Sequence, residues 1–388
     1  MKKYKSLLLF TVFSCALFSS SVRAMETKAK NAVLMDYETG TVFFQKNADE
    51  KMPPASMSKL MTAYMIFDRL KGGSLSMDDE FVVSENAWRK GGVKTGSSTM
   101  FLKIGDKVKL EDLLRGIIVQ SGNDACITAA ENIAGSEKEF VELANQKAVD
   151  LGLMNTHLAN ATGWPHPDHY MSPKDLAVLS SHIIKEFPEY YGIYSEKEFT
   201  YNGIKQENRN PLLFLMPGTN GIKADGIKTG HTSASGYGLV GSAIKGDRRI
   251  IMVINGLKTM KERSEEAQKL ILWGFRSFDN YKVLKKDVRV VNVPVWLGRS
   301  RSVSAVPDKD IVLTVPKGKQ KEVVAKVTYE TPISAPVKKG QKIGSLVLRV
   351  PDQEDIAVDL FAANDVRRLG YFGRLKELVK YLLFQNVN

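Results

Sequence analysis

The chain has 388 residues, 43% of them hydrophobic and 25% charged, with a formal net charge of +12. That length exceeds one ordinary core and points to two domains with a tail. The composition is that of a soluble globular protein and excludes a low-complexity or repeat chain.

In chain order, Met1-Lys2-Lys3-Tyr4-Lys5 is basic, Leu7 to Phe18 is apolar, and Val22-Arg23-Ala24 is a small-residue cleavage pattern. This reads as an export signal cut after Ala24, because about a dozen apolar residues fall short of the roughly 20 that span a bilayer. A lipoprotein site at Cys15 is the competing reading, which Phe13-Ser14 fits poorly. Cleavage removes Lys2, Lys3, Lys5 and Arg23 and no acid, taking +12 to +8. Basic charge on an exported protein suits anionic lipid or wall polymer better than nucleic acid. Of the two cysteines, only Cys126 survives cleavage, so the mature chain has no internal disulfide and Cys126 reads as a small buried apolar residue.

Ala32 to Met35 and Thr41 to Phe44 flank Tyr37-Glu38-Thr39-Gly40 as a β-hairpin. Lys59 to Leu70 carries helical periodicity, as does Leu110 to Val119. Gly91-Gly92 and Gly96-Ser97-Ser98 make a loop. Ser136 to Glu139 is a capping box, and Ser172-Pro173 opens a further helix with Pro in its first turn. Tyr237 to Ile244 and Arg249 to Asn255 read as adjacent strands, and Glu262 to Phe275 as a helix. From Tyr281 to about Leu360, short alternating segments broken by proline and glycine predict a small all-β domain, a sandwich. Asn364 to Phe384 predicts a basic amphipathic helix that lies in a membrane interface, the alternative being a helix packed on the β domain or on a partner.

Three short motifs carry chemistry. Ser56-Met57-Ser58-Lys59 is followed by Ser121-Gly122-Asn123 and then by Lys228-Thr229-Gly230, in the S-x-x-K, S-x-N, K-T-G order. A serine needs a base, and Lys59 lies three residues on, on the same helical side. To act as a base Lys59 must be neutral, which burial and a second cation would favour; Lys228 is the candidate cation. The N–H of Ser56 can serve an oxyanion. Ser121 can relay a proton to the leaving group, and Asn123 can hold Lys59 and a substrate amide. Lys228 and Thr229, on an edge strand, can hold a carboxylate, with Gly230 allowing close approach of the substrate backbone. A second K-T-G, Lys94-Thr95-Gly96, precedes the S-x-N triplet, has no strand after it and reads as coincidence in a loop. His157, His166 and His169 with Asp168 form a loose cluster without metal-ligand spacing, so no metal is expected. No phosphate loop, dinucleotide fingerprint or RNA-binding motif is present, and no cofactor or nucleic-acid partner is expected.

With its surrounding text, Pro54 to Thr62, Ser121 to Ala125 and Asp225 to Thr232, the chain resembles the serine-type D-alanyl-D-alanine carboxypeptidases. These are the low-molecular-mass penicillin-binding proteins of the type 5/6 group. The resemblance covers nearly the whole mature chain. It implies an α/β (α+β) transpeptidase-like catalytic domain, an antiparallel sheet flanked by helices, then the β domain and an amphipathic anchor. The expected bounds are a signal over 1–24, catalysis over 25–281, β-sandwich over 282–360 and anchor over 361–388. It also implies that His231 supplies the second oxyanion N–H, that Arg263 helps to bind the terminal carboxylate, and that Arg209 stands near the site. The implied activity is removal of the terminal D-alanine from peptidoglycan pentapeptide stems through acyl-Ser56, with β-lactams as covalent inhibitors. The implied place is the periplasmic face of the cytoplasmic membrane. Class A β-lactamases use a glutamate-activated water, and no glutamate lies between Asn155 and Pro173, so slow release of bound β-lactam is expected. A D,D-endopeptidase cutting cross-links and a non-catalytic wall-binding scaffold are the competing readings.

Overall fold

The computed structural model describes residues 4–8, 25–215, 217–351 and 353–384. Its contacts divide the chain at Arg276/Ser277, the second unit also taking in the N-terminal segment. Most of the segment read as an export signal, including Cys15 and the cleavage pattern, lies outside the described residues.

The first unit is built on a six-stranded antiparallel sheet. Its strands are β1 (Asn31–Asp36), β2 (Val42–Lys46), β3 (Pro217–Thr219), β4 (Ile222–Thr232), β5 (Gly236–Lys245) and β6 (Arg248–Leu257), in the order β2-β1-β6-β5-β4-β3. The hairpin and the adjacent pair expected from the sequence are β1–β2 and β5–β6. Strands β1, β5 and β6 are buried on both faces because helices cover both. On one face Val33, Val240, Ile251 and Val253 join a core with the helices between the strands. Those helices are α1 (Lys59–Lys71), α2 (Glu85–Gly91), α3 (Leu110–Ile118), α4 (Asn123–Ala134), α5 (Glu137–Asp150) and α6 (Pro173–Glu186). On the other face α7 (Met260–Ser277) brings Gly274 against Leu34, Phe43 and Ile250.

Local chemistry sets the helix ends. Ser136 and Ser172 cap α5 and α6 by accepting from the N–H groups of Glu139 and Asp175. The first turns of α5 and α6 carry acids, as the helix dipole favours. The short β3 pairs only with the start of β4, so from Ala224 onward β4 is an open edge. That edge carries Lys228, Thr229 and Gly230.

The second unit is β-rich. Strands β7 (Phe278–Leu284) and β10 (Ile311–Pro316) pair with each other. Strands β8 (Val291–Trp296), β9 (Ser302–Val306), β11 (Val324–Glu330), β12 (Ile333–Ser334), β13 (Lys342–Arg349) and β14 (Ile356–Ala362) form a sheet in the order β11-β13-β14-β9-β8-β12. Residues of both layers, among them Val293, Leu313, Leu346 and Leu360, share one core. Tyr4–Leu8 adds a strand against β11, Tyr4 opposite Glu330. An export signal is expected to stand outside the fold; the physical reason for the pairing is that β11 is an edge whose unpaired N–H and C=O groups an extended segment satisfies.

The terminal helix, α8 (Tyr371–Phe384), starts later than the periodicity from Asn364 suggests. Val366 is buried, bridges Val337 and belongs to the β-domain core, and the Leu369 N–H donates to the Leu297 carbonyl. Tyr371, Phe372, Leu375, Leu378 and Val379 are exposed. Among the described residues no helix is long and apolar enough to cross a membrane.

Candidate active site

Ser56 sits in a turn of 3-10 helix, Ala55–Ser58, that runs into α1. Ala55 has φ 48°, a left-handed conformation that alanine rarely adopts. Two features hold it: the Ser58 Oγ–H donates to the Ala55 carbonyl at 3.1 Å, and Gly163 lies directly against that carbonyl. A Cβ at Gly163 would stand 2.1 Å from the Ala55 oxygen. The loop after α5 therefore closes on the Ser56 turn only with glycine there.

Lys59, 1% exposed, follows Ser56 on α1. Its Nζ lies 3.0 Å from Ser56 Oγ, 2.6 Å from Asn123 Oδ1 and 2.5 Å from the Thr162 carbonyl oxygen. An ammonium fills all three bonds by donating. A neutral amine has two N–H groups and one lone pair. Because the Asn123 and Thr162 oxygens only accept, that lone pair must face the Ser56 hydroxyl. The cage thus orients Lys59 as a base toward the one partner that can give a proton. Burial pushes the Lys59 pKa down to about 8, and the Arg209 charge pushes the same way. Lys228, the second cation expected from the sequence, interacts with Lys59 by charge as well, and Arg209 joins them.

Lys228, 3% exposed, donates to Ser121 Oγ at 2.9 Å. Burial first, and the Lys59 and Arg209 charges next, hold it well below the usual lysine range. Ser121 occupies the turn between α3 and α4 at φ 63°. Asn123 opens α4, its backbone N–H donating to Ser98 O at 2.8 Å and its Nδ2 to Ser97 Oγ at 3.0 Å.

Ser97 and Ser98 follow the second K-T-G, so that stretch is not idle. Gly96, Ser97 and Ser98 line the cleft, while Lys94 turns away over the Trp88 ring. Asp124, absent from the sequence-level set, is fully buried and accepts from Thr99 Oγ1, Met100 N and Leu102 N, fixing the segment after this loop. Its signal is an acid in the first turn of a helix, which is common and easily passed over.

The far side of the cleft is cationic and aromatic. Arg209 Nη1 donates to Ser98 Oγ at 2.6 Å, and Arg263 Nη2 to the Arg209 carbonyl at 3.2 Å. Arg263 lies 5.8 Å from the Tyr237 ring centroid, and Tyr237 stacks on His231 at 3.9 Å. The buried Arg263 Nε has no acceptor among the described residues, a donor left over for an anionic group. Ser56, Ser121, Asn123, Arg209, Thr229, Gly230, His231 and Arg263 all border one cleft of about 670 Å³, and Trp164 stands at its margin. Gly230 borders the cleft and also has a packing role. A Cβ there would meet the Pro54 carbonyl at 2.8 Å, so glycine lets β4 pack against the Ser56 turn.

The histidine cluster is engaged within its own loop. His157 Nδ1 is 2.6 Å from the Asp168 carbonyl, and His169 Nδ1 accepts from Ala159 N at 3.1 Å. Among the described residues no group of three or more His, Cys, Asp or Glu is arranged to hold a metal. Cys126, on α4, is buried, and burial pushes its thiol up to about 12.

Comparison with known proteins places this geometry. The family described as D-alanyl-D-alanine carboxypeptidase matches residues 18–259, and the family described as penicillin-binding protein 5, C-terminal domain, matches residues 278–368. The chain is 40% identical over 361 residues to the D-alanyl-D-alanine carboxypeptidase DacC of Escherichia coli, covering 92% of this chain and 89% of that one. It is 40% identical over 349 residues to DacA of Haemophilus influenzae, covering 89% and 87%. The crystal structure of penicillin binding protein 5 from Haemophilus influenzae superposes with a TM-score of 0.81 at 40% identity, covering 90% of this chain and all of that one.

Proposed function

The chain belongs to the D-alanyl-D-alanine carboxypeptidase family, and from that premise we propose that Ser56 is acylated by the penultimate D-alanine of peptidoglycan pentapeptide stems. The protein is a D-alanyl-D-alanine carboxypeptidase of penicillin-binding type, and β-lactams acylate it.

Lys59 in its neutral form takes the Ser56 proton as the oxygen attacks the carbonyl between the two D-alanines. The N–H groups of Ser56 and His231 receive the oxyanion. Ser121, its oxygen engaged by Lys228, passes a proton to the departing D-alanine nitrogen. The terminal carboxylate lies against Thr229 and Arg263, with Lys228 and Arg209 adding positive field. The proton that Lys59 took makes good, by way of Lys228 and Ser121, the one given to D-alanine, which leaves Lys59 neutral. Water then attacks the acyl-Ser56 ester, Lys59 taking the water's proton and returning it to Ser56 Oγ as the ester bond breaks. The observation that carries this reading is the cage of Lys59, in which two strict acceptors leave its lone pair only the Ser56 hydroxyl. The test incubates the mature protein with a labelled penicillin and with a D-Ala-D-Ala-terminated pentapeptide, beside Ser56→Ala. Label and D-alanine release must both vanish in the variant; release that survives refutes Ser56 as nucleophile.

The site of action is the outer face of the cytoplasmic membrane, with α8 lying in the interface. The exposure of Phe372, Leu375 and Val379 supports this, as do Arg374 and Lys376 beside them. On this reading residues 1–24 are the export signal, and the β-rich unit links the catalytic unit to the anchor.

A further inference from the structure

Resting on the reading that Lys228 serves Ser121 and Thr229 holds substrate, we propose that Asp225 is a positioning residue for the reaction. Clamped by Arg249 and Tyr191, it is the extra residue of a β-bulge that decides which side of the sheet Lys228 faces.

The register of β4 on β5 shows the insertion. Lys228 pairs with Val240, Ile227 with Gly241 and Gly226 with Ser242, but Ala224 pairs with Ala243. Asp225 is thus left without a partner of its own. Side chains alternate along a strand, so one inserted residue reverses the face of everything after it. With the insertion, Lys228 shares the face of Val240, which packs into the core with the helices. There it meets Ser121. Thr229 and His231 take the opposite face with Leu239 and Tyr237, where Arg263 of α7 lies over the Tyr237 ring. Without the insertion Lys228 would pair with Leu239. Its ammonium would point toward Arg263, and Thr229 would turn into the helices. The same sequence would carry K-T-G with its faces exchanged.

Three contacts hold the bulge. Arg249 Nη1 donates to Asp225 Oδ1 at 2.9 Å and stands 2.8 Å from Oδ2 as an ion pair, and the Tyr191 O–H donates to Oδ1 at 3.2 Å. The same Nη1 donates at 2.5 Å to Ser242 Oγ, the residue across from the bulge. The clamp therefore ties the inserted residue to the partner strand. Gly226 lies under Tyr191 and Tyr194, where a Cβ would come within 3.1 and 3.0 Å of their side chains. Neither Asp225 nor Arg249 lines the cleft, so their influence on the reaction passes through the placement of β4.

The experiment compares two buried ion pairs of the same sheet in the mature protein. Asp225→Asn loosens the clamp; Asp36→Asn breaks the Arg248–Asp36 pair, 2.8 Å long, without touching β4. The readouts are the melting temperature, the second-order rate of acylation by a labelled penicillin, and the kcat against KM split with a D-Ala-D-Ala peptide. Misplacement by about an ångström costs on the order of 100-fold. That fall in acylation rate is expected for Asp225→Asn well below its melting temperature, while Asp36→Asn melts earlier yet acylates at the wild-type rate. Arg249→Lys, which keeps the charge but loses the guanidinium's span, should fall in the same direction and serves if Asp225→Asn does not fold. Wild-type acylation in Asp225→Asn, or equal losses in Asp225→Asn and Asp36→Asn, would overturn the proposal. The wild-type and Ser56→Ala arms report separately on the reading of the site itself.

Discussion

Lys228 Nζ donates to Ser121 Oγ at 2.9 Å, and that bond decides what the Ser121 hydroxyl does with its proton. An oxygen that accepts from an ammonium keeps its own O–H free to donate elsewhere. The free direction is the cleft, which Ser121 borders. A proton moving to a leaving amine from Ser121 can be replaced from Lys228, whose ammonium burial already makes acidic.

Ser121→Ala removes that relay while leaving Ser56 and Lys59 in place. The expected result is a fall in kcat for D-alanine release of about a hundredfold or more, the usual size of a lost general acid. KM should change far less. Steady-state kinetics on a D-Ala-D-Ala peptide decides it, and an unchanged kcat removes Ser121 from the proton path.

Lys59 imposes a pH dependence of known sign. Its folded pKa of about 8 is below the ordinary lysine value, and in the proposed mechanism the neutral form is the base. Acylation by a labelled penicillin should therefore rise with pH and level off above about 8. Stability follows the same group. Between the folded and unfolded pKa values the unfolded chain binds more protons, so Lys59 costs stability below about pH 8, a cost relieved as pH climbs toward the ordinary value. Lys59→Met, which removes the buried charge at similar volume, should raise the melting temperature at pH 7 by a few degrees, with each ~1 kcal/mol worth about 2–4 °C, and abolish acylation. Calorimetry beside penicillin labelling checks both halves.

The chemistry is legible in the sequence because S-x-x-K, S-x-N and K-T-G are local strings, and the strands and helices around them follow periodicity. What stays hidden depends on backbone atoms and on register. The Thr162 carbonyl has no sequence signature, and Ser97 lies in a loop that looks accidental. Asp225 is an unremarkable acid until strand pairing shows that it has no partner across the ladder. Periodicity extends the terminal helix too far because Val366 and Leu369 fall on its apolar phase, although Val366 is taken up by the β-domain core.

Gly163 offers a test of the nucleophile's turn. It has φ 81° and no room for a methyl against the Ala55 carbonyl. Gly163→Ala forces the loop away from Ser56, and with it the neighbouring Thr162 carbonyl that accepts from Lys59. Acylation should fall by roughly 100-fold, the scale of an ångström's displacement, in a protein that still folds. Circular dichroism and penicillin labelling together read this; labelling at the wild-type rate would mean that the turn holds itself.

The late start of the terminal helix decides where a truncation must fall. A stop after Leu360 would remove Val366, buried in the core of the β unit, and the Leu369 bond to Leu297. Losing one buried valine costs about 1.5–3 kcal/mol, so that truncation would confuse anchoring with stability. A stop after Gly370 removes the helix that begins at Tyr371 and leaves Val366 and Leu369 in place. The shortened protein should stay in solution when sedimented with vesicles containing anionic lipid, while the full mature chain should pellet with them and be released by salt in part. Its rate of D-alanine release from a soluble peptide should equal that of the full chain. Cosedimentation that survives the truncation would place the membrane-binding surface elsewhere on the protein.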